Sequence, residues 1–105
     1  SDPVVANSDA FQAILLFTFK EKIPLIAPAL PLVDKGALLA IGPDFVKIGK
    51  QAGDLAKKVI GGQSPKSLGL VPPEGVEIGV NLKTADLIGL TVPKNLVSQA
   101  FKVVQ

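Results

Sequence analysis

GALLAIGPDFVKIGKQAGDLAKKVIGG, residues 36–62, carries most of the information about the fold. Ala37 to Ile41 is a short apolar run of the kind found in strands covered on both faces. Gly42-Pro43-Asp44 breaks it, and Pro43 suits the first turn of a helix, where its missing N–H has no intrahelical partner. From Phe45 onward apolar and small residues recur at helical spacing: Phe45, Ile48, Gly49, Ala52, Leu55, Ala56 and Val59. The opposite face carries Lys47, Lys50, Gln51, Asp54, Lys57 and Lys58, with Asp54 and Lys58 spaced for an i,i+4 pair. Gly61 and Gly62 supply the left-handed backbone that commonly closes a helix. The stretch therefore reads as a strand-to-helix unit of an α/β layer fold.

Upstream, Pro3 keeps the first residues extended, and Asn7, Ser8 or Asp9 can cap a helix running to about Lys20. That helix is apolar nearly all round, which implies packing between a sheet and a second surface. Residues 23–27 read as a buried strand, followed by the proline-rich connection Pro28-Ala29-Leu30-Pro31-Leu32 and a helical turn over residues 32–35. Downstream, residues 63–74 form a Pro-, Gly- and Ser-rich linker. VEIGV, residues 76–80, alternates as a strand. Asn81 caps a short helix over residues 82–88 that Gly89 stops, and residues 94–104 read as a last amphipathic helix with Phe101 and Val104 inward. The predicted class is α/β, a layered sheet flanked by helices.

Composition removes several functions. The 105 residues include no His, Cys, Met, Trp or Tyr. Zinc and copper sites lose their usual ligands, and catalysis loses its commonest base and strongest neutral-pH nucleophile. The nine carboxylates are scattered, with neither calcium-loop nor glycosidase spacing. No enzyme activity, metal or cofactor is expected. The net charge of +2 is spread along the chain without a basic stripe, so nucleic acid is not an expected partner. Gly36, Gly42 and Gly49 lack the spacing of a phosphate loop. Residues 23–33, the longest apolar stretch, hold three prolines and fall far short of the roughly 20 residues needed to span a bilayer. A hydrophobic share of 48% exceeds what a free domain this small needs, which implies surfaces meant to be covered. The start at Ser1-Asp2-Pro3, with no initiating Met, reads as the interior of an open reading frame.

Three phrases in order carry a family resemblance: KIPLIA at residues 22–27, VDKGALLAIGPDFVKIGKQAGDLAKKVIGGQSP at 33–65, and VNLKTADLIGLTVP at 80–93. Together they resemble the C-terminal third of bacterial ABC-transporter substrate-binding proteins of the tryptophan-, tyrosine- and phenylalanine-type family. The resemblance covers nearly the whole chain. It implies part of a two-lobe type I periplasmic-binding fold, with residues 1–30 and 75–105 in one lobe and 36–62 in the other. It also implies a small-molecule ligand, an ABC permease as partner, and a periplasmic or extracellular, membrane-associated location. An isolated third would expose faces that its remainder covers, so a homo-oligomer is expected. A structural or interaction module, or a ligand-sensing domain of a signalling protein, is the alternative function.

The same resemblance assigns candidate ligand contacts. The loop over residues 28–36 corresponds to the family's crossover segment, which supplies polar contacts in relatives, so Pro28, Ala29, Leu30 and Gly36 are ligand-binding candidates. Here the loop is apolar, which makes it either a hinge stiffened by prolines or a wall for a less polar ligand. Asp44-Phe45 stands where the family has Asp-Tyr. Phe45 is thus a candidate that keeps the ring and loses the hydroxyl, with first-turn core packing as the competing reading. Asn81 to Thr84 matches the tail motif and reads as a structural helix cap.

Overall fold

A computed structural model describes residues 7–105; the extended segment expected over residues 1–6 lies outside the described residues. In chain order the elements are α1 (Ser8–Lys20), β1 (Ile26–Ala27), α2 (Pro31–Asp34), β2 (Leu39–Pro43) and α3 (Phe45–Ile60). They continue as α4 (Pro65–Leu68), β3 (Val76–Asn81), α5 (Leu82–Ile88), α6 (Lys94–Gln99) and β4 (Lys102–Val104). The strands form one sheet in the order β1-β2-β3-β4. β1 and β2 are parallel, as are β3 and β4. Asn81 N–H donates to Leu38 O at 2.9 Å and Asp44 N–H to Gly75 O at 3.1 Å, so β2 and β3 run antiparallel. The layered α/β class read from the sequence is the class observed.

The chain divides into two compact units, Ser1–Gly42 with Ile78–Gln105, and Pro43–Glu77. In the first, Ala27, Val33, Ala37 and Ala40 form a small core, with Phe11, Leu25, Leu32 and Val104 against it. α1 starts where Asn7 accepts the Ala10 N–H at 2.8 Å. Leu16, 69% exposed, and Phe17 have no cover, and Thr18 is the helix's buried residue, its hydroxyl donating to Leu15 O at 2.8 Å. Asn81 ties the unit together. Its Oδ1 accepts the Thr84 N–H at 2.9 Å and caps α5, while its Nδ2 donates to Val33 O at 2.7 Å. Thr84 Oγ1 donates to Gly36 O at 2.9 Å, and Lys102 of β4 pairs with Asp34 of α2.

In the second unit the Asp44 side chain accepts the Lys47 N–H at 3.0 Å, which sets the start of α3. Gln51 holds the returning segment at two points. Its amide nitrogen donates to Pro72 O at 2.9 Å, and its oxygen accepts the Glu74 N–H at 3.0 Å. Gly75 has φ 90°, and a Cβ there would lie 2.8 Å from the Lys47 side chain, so only glycine fits.

Several expectations are corrected. The strand expected over residues 23–27 shortens to two residues, because Pro24 offers no N–H and β1 is the sheet edge; Ile26 is 61% exposed rather than buried. β2 starts two residues later than expected and alternates, with Ala40 and Gly42 buried and Ile41 exposed, so it is not covered on both faces. Pro43 ends β2 instead of opening the helix, since Asp44 takes the cap. No residue of α3 is buried: Ile48 and Leu55 of its apolar stripe are half-buried, while Phe45, Ala52, Ala56 and Val59 are exposed. Asp54 pairs with Lys57 at 3.8 Å rather than with Lys58. Of the paired glycines only Gly62 has positive φ, 99°, while Gly61 serves as the C-cap at φ −72°. The expected last helix stops at Gln99. Ala100 turns to extended backbone, Phe101 N–H donates to Ile78 O at 2.8 Å, and the β-branched Val103 and Val104 join the sheet. Phe101, expected inward, is exposed.

Candidate functional site

β1 ends where Ala27 meets Pro28, and the loop that leaves its carboxyl end turns at once into α2. Pro31 occupies the first turn of α2, and Leu30 caps it without a side-chain bond. The loop carbonyls are used locally: Ala29 O accepts from Leu32 N–H and Leu30 O from Val33 N–H, both at 3.1 Å. The apolar side chains of the loop thus line space without leaving those backbone groups unpaired.

Beside this loop, within the first unit, is a cavity of about 610 Å³. Phe11 and Ile14 of α1 line one side, with Asn7 and Ser8 at the helix start. Leu25 to Ala27 and Pro28-Ala29 line another, together with the half-buried Leu32 and the exposed Lys35. The volume falls in the range of small-molecule sites, and the carboxyl end of a strand in an open α/β sheet is where such ligands bind. Lys35 is the charged residue of the lining, which includes no carboxylate among the described residues. No group of three or more His, Cys, Asp or Glu is placed to hold a metal ion among those residues.

The cavity brings together two of the five candidates, Pro28 and Ala29. Leu30 does not line it: its Cδ1 lies 3.5 Å from where a Gly42 Cβ would sit, and its Cγ 3.6 Å from that position at Gly79. Gly36 adopts φ 112°, and the place of its missing Cβ is 3.1 Å from both the Leu15 and Phe19 side chains. Its observed contacts are packing contacts. Phe45 is the first residue of α3 in the second unit and is 76% exposed, so it does not pack in a core there. Phe11, Ile14, Leu25, Leu32 and Lys35 were missed. Phe11 and Ile14 share a helix face at i,i+3 spacing, a pattern that marks a face without saying whether protein or ligand meets it.

Asp44 lies in the second unit, where the Lys47 backbone N–H holds its carboxyl below the usual value; partial burial opposes this, and the Lys47 ammonium at 3.4 Å assists.

The family model described as ABC transporter substrate binding protein matches residues 2–104. A tyrosine-binding protein of Clostridioides difficile is 37% identical over 71 residues, which cover 65% of this chain and 21% of that protein. A ligand-free, open structure of a substrate-binding protein with adhesive properties from Clostridium difficile has a TM-score of 0.78 at 26% identity, covering 100% of this chain and 34% of that one. An ABC domain in complex with L-Trp from Streptococcus pneumonia, at TM-score 0.66 and 23% identity over 93% of this chain, shares the fold. The chain spans 21 to 28% of the length of the curated relatives it matches. A match over all but the outermost residues, on the α/β fold of these structures, establishes that the chain belongs to the ABC transporter substrate-binding protein family.

Proposed function

We propose that this chain is part of the solute-binding component of an ABC uptake system, which captures a small molecule without covalent chemistry. The observation that carries the reading is the apolar cavity at the carboxyl end of β1, in a chain that matches the family model over residues 2–104. The ligand is an amino acid or a less polar solute. Pro28 and Ala29 form its wall, Leu30 and Gly36 hold the loop in shape, and Phe45, in the second unit, is a separate candidate for ligand contact. The two compact units are portions of two lobes, an ABC permease is the partner, and the setting is periplasmic or extracellular, at the membrane.

Thermal denaturation against a panel of amino acids and apolar small molecules tests it. A ligand at a hundred times its Kd stabilises by about 2.7 kcal/mol and raises the Tm by several degrees. Ala29→Trp, which fills the cavity, abolishes that rise. A panel with no effect on Tm refutes capture at this cavity.

A second reading, self-association, has its own support. The chain exposes 7409 Å², against roughly 5,600 Å² for a self-contained folded monomer of this mass. The excess is on the scale of a permanent interface. The excess supports homo-oligomerisation of the 105-residue chain.

A further inference from the structure

We infer that the cavity beside β1 selects an apolar small molecule bearing a carboxylate and no ammonium group, a class that excludes zwitterionic amino acids. The inference rests on the capture reading above and narrows it.

The charges around the cavity are lopsided. Lys35 is the charged side chain of the lining, so an anionic head group entering beside α2 meets an ammonium. An incoming ammonium meets no carboxylate in the lining among the described residues. The two acids nearest in sequence to the lining residues are engaged elsewhere. Asp9 lies outside the lining and receives the Ser8 hydroxyl at 3.5 Å; Asp34, beside Lys35, pairs with Lys102 of β4. Asn7 spends its side-chain oxygen on the Ala10 N–H, at 2.8 Å. The loop adds no side-chain acceptor, since Pro28 and Ala29 have none.

The remaining walls are hydrocarbon. Phe11, Ile14, Leu25 and Leu32 offer a surface suited to an aryl or branched-alkyl body. Placing an ammonium against that surface without a counter-charge is costly, whereas a carboxylate can stay at the rim with Lys35. The lining formed by the described residues therefore favours one end of an amino acid over the other.

Isothermal titration of the 105-residue chain with three probes that share a phenylethyl body separates the two ends: 3-phenylpropanoate, L-phenylalanine and 2-phenylethylamine. The expected result is 3-phenylpropanoate binding at least tenfold tighter than L-phenylalanine, with no measurable binding of the amine. Lys35→Gln weakens 3-phenylpropanoate at least tenfold and leaves neutral 3-phenylpropanamide unchanged. Asp9→Asn changes none of these affinities. L-Phenylalanine binding as tightly as 3-phenylpropanoate, an unaltered Lys35→Gln variant, or loss of L-phenylalanine binding on Asp9→Asn overturns the inference while leaving solute capture intact. If neither these probes nor any member of the thermal panel binds, capture itself fails and the inference falls with it.

Discussion

Asn81 Nδ2 donates to the carbonyl of Val33 at 2.7 Å, joining positions 48 apart in sequence inside the first unit. The same side chain accepts the Thr84 N–H, so one buried amide both starts α5 and holds α2. The Asn-Leu-Lys-Thr segment of the tail motif is therefore a clasp, and Thr84, bonded to Gly36 O, is its second half. Asn81→Ala removes the cap and leaves the Val33 carbonyl without this donor, for a loss of about 2–3 kcal/mol. Asn81→Asp keeps the cap acceptor but cannot donate to Val33, and is expected to destabilise at least as much as alanine. Urea denaturation of the two variants decides; an Asp variant of wild-type stability would show that the Val33 bond contributes nothing.

Gln51 gives a more local prediction. Its two hydrogen bonds to Pro72 and Glu74 are exposed, so Gln51→Ala costs about 1 kcal/mol. The sharper readout is amide exchange at Glu74, whose protection drops when its acceptor is removed. Gln51→Glu keeps that acceptor and preserves the protection while losing the donor to Pro72.

The lowered pKa of Asp44 makes the second unit sensitive to acid. A carboxyl depressed in the folded state contributes stability that is complete above the ordinary unfolded value of about 4 and is lost as pH falls through the lower folded one. Asp44→Asn retains a capping acceptor and cannot titrate. Melting curves between pH 2 and 6 are expected to show a steeper loss below pH 4 for the wild type than for this variant.

The exposed apolar residues of α3 predict association behaviour. Phe45 and Ile60 are exposed, Ile60 at 85%, so replacing both by lysine removes little packing and leaves Tm within about 2 °C. Light scattering is expected to show an oligomer for the wild type at micromolar concentration and a smaller species for the double variant. A wild type that scatters as a monomer refutes the surface-area argument.

Helices whose ends are chemically marked were legible in the sequence. Asn7 and Lys20 bound α1, Asn81 and Gly89 bound α5, and the paired glycines marked the end of α3, because capping is settled within a few residues; the Asp44 cap of α3 was hidden by Pro43, which suits a first helical turn as well as a strand end. The short strands were harder. β4 follows a helical pattern directly, and only a distant neighbour, Ile78, reveals that residues 102–104 extend a sheet. β1 was overestimated because an apolar run does not show that it lies on an edge. For the cavity, Pro28 and Ala29 were within reach of motif reasoning. Lys35 and Phe11 were not, since their meeting depends on the path of the chain between them.

The first unit is split in sequence, with Pro43–Glu77 lying between its two parts. Protein synthesis from the N-terminus therefore completes the middle unit while the outer one still lacks β4 and all of α5 and α6. At ordinary translation speeds the 28 residues Ile78–Gln105 take roughly 1–6 s to emerge. For that interval the Val33 carbonyl and the Ala27–Ala40 core await partners still being translated, and a chaperone that shelters the nascent chain would act on the segment from α1 to β2.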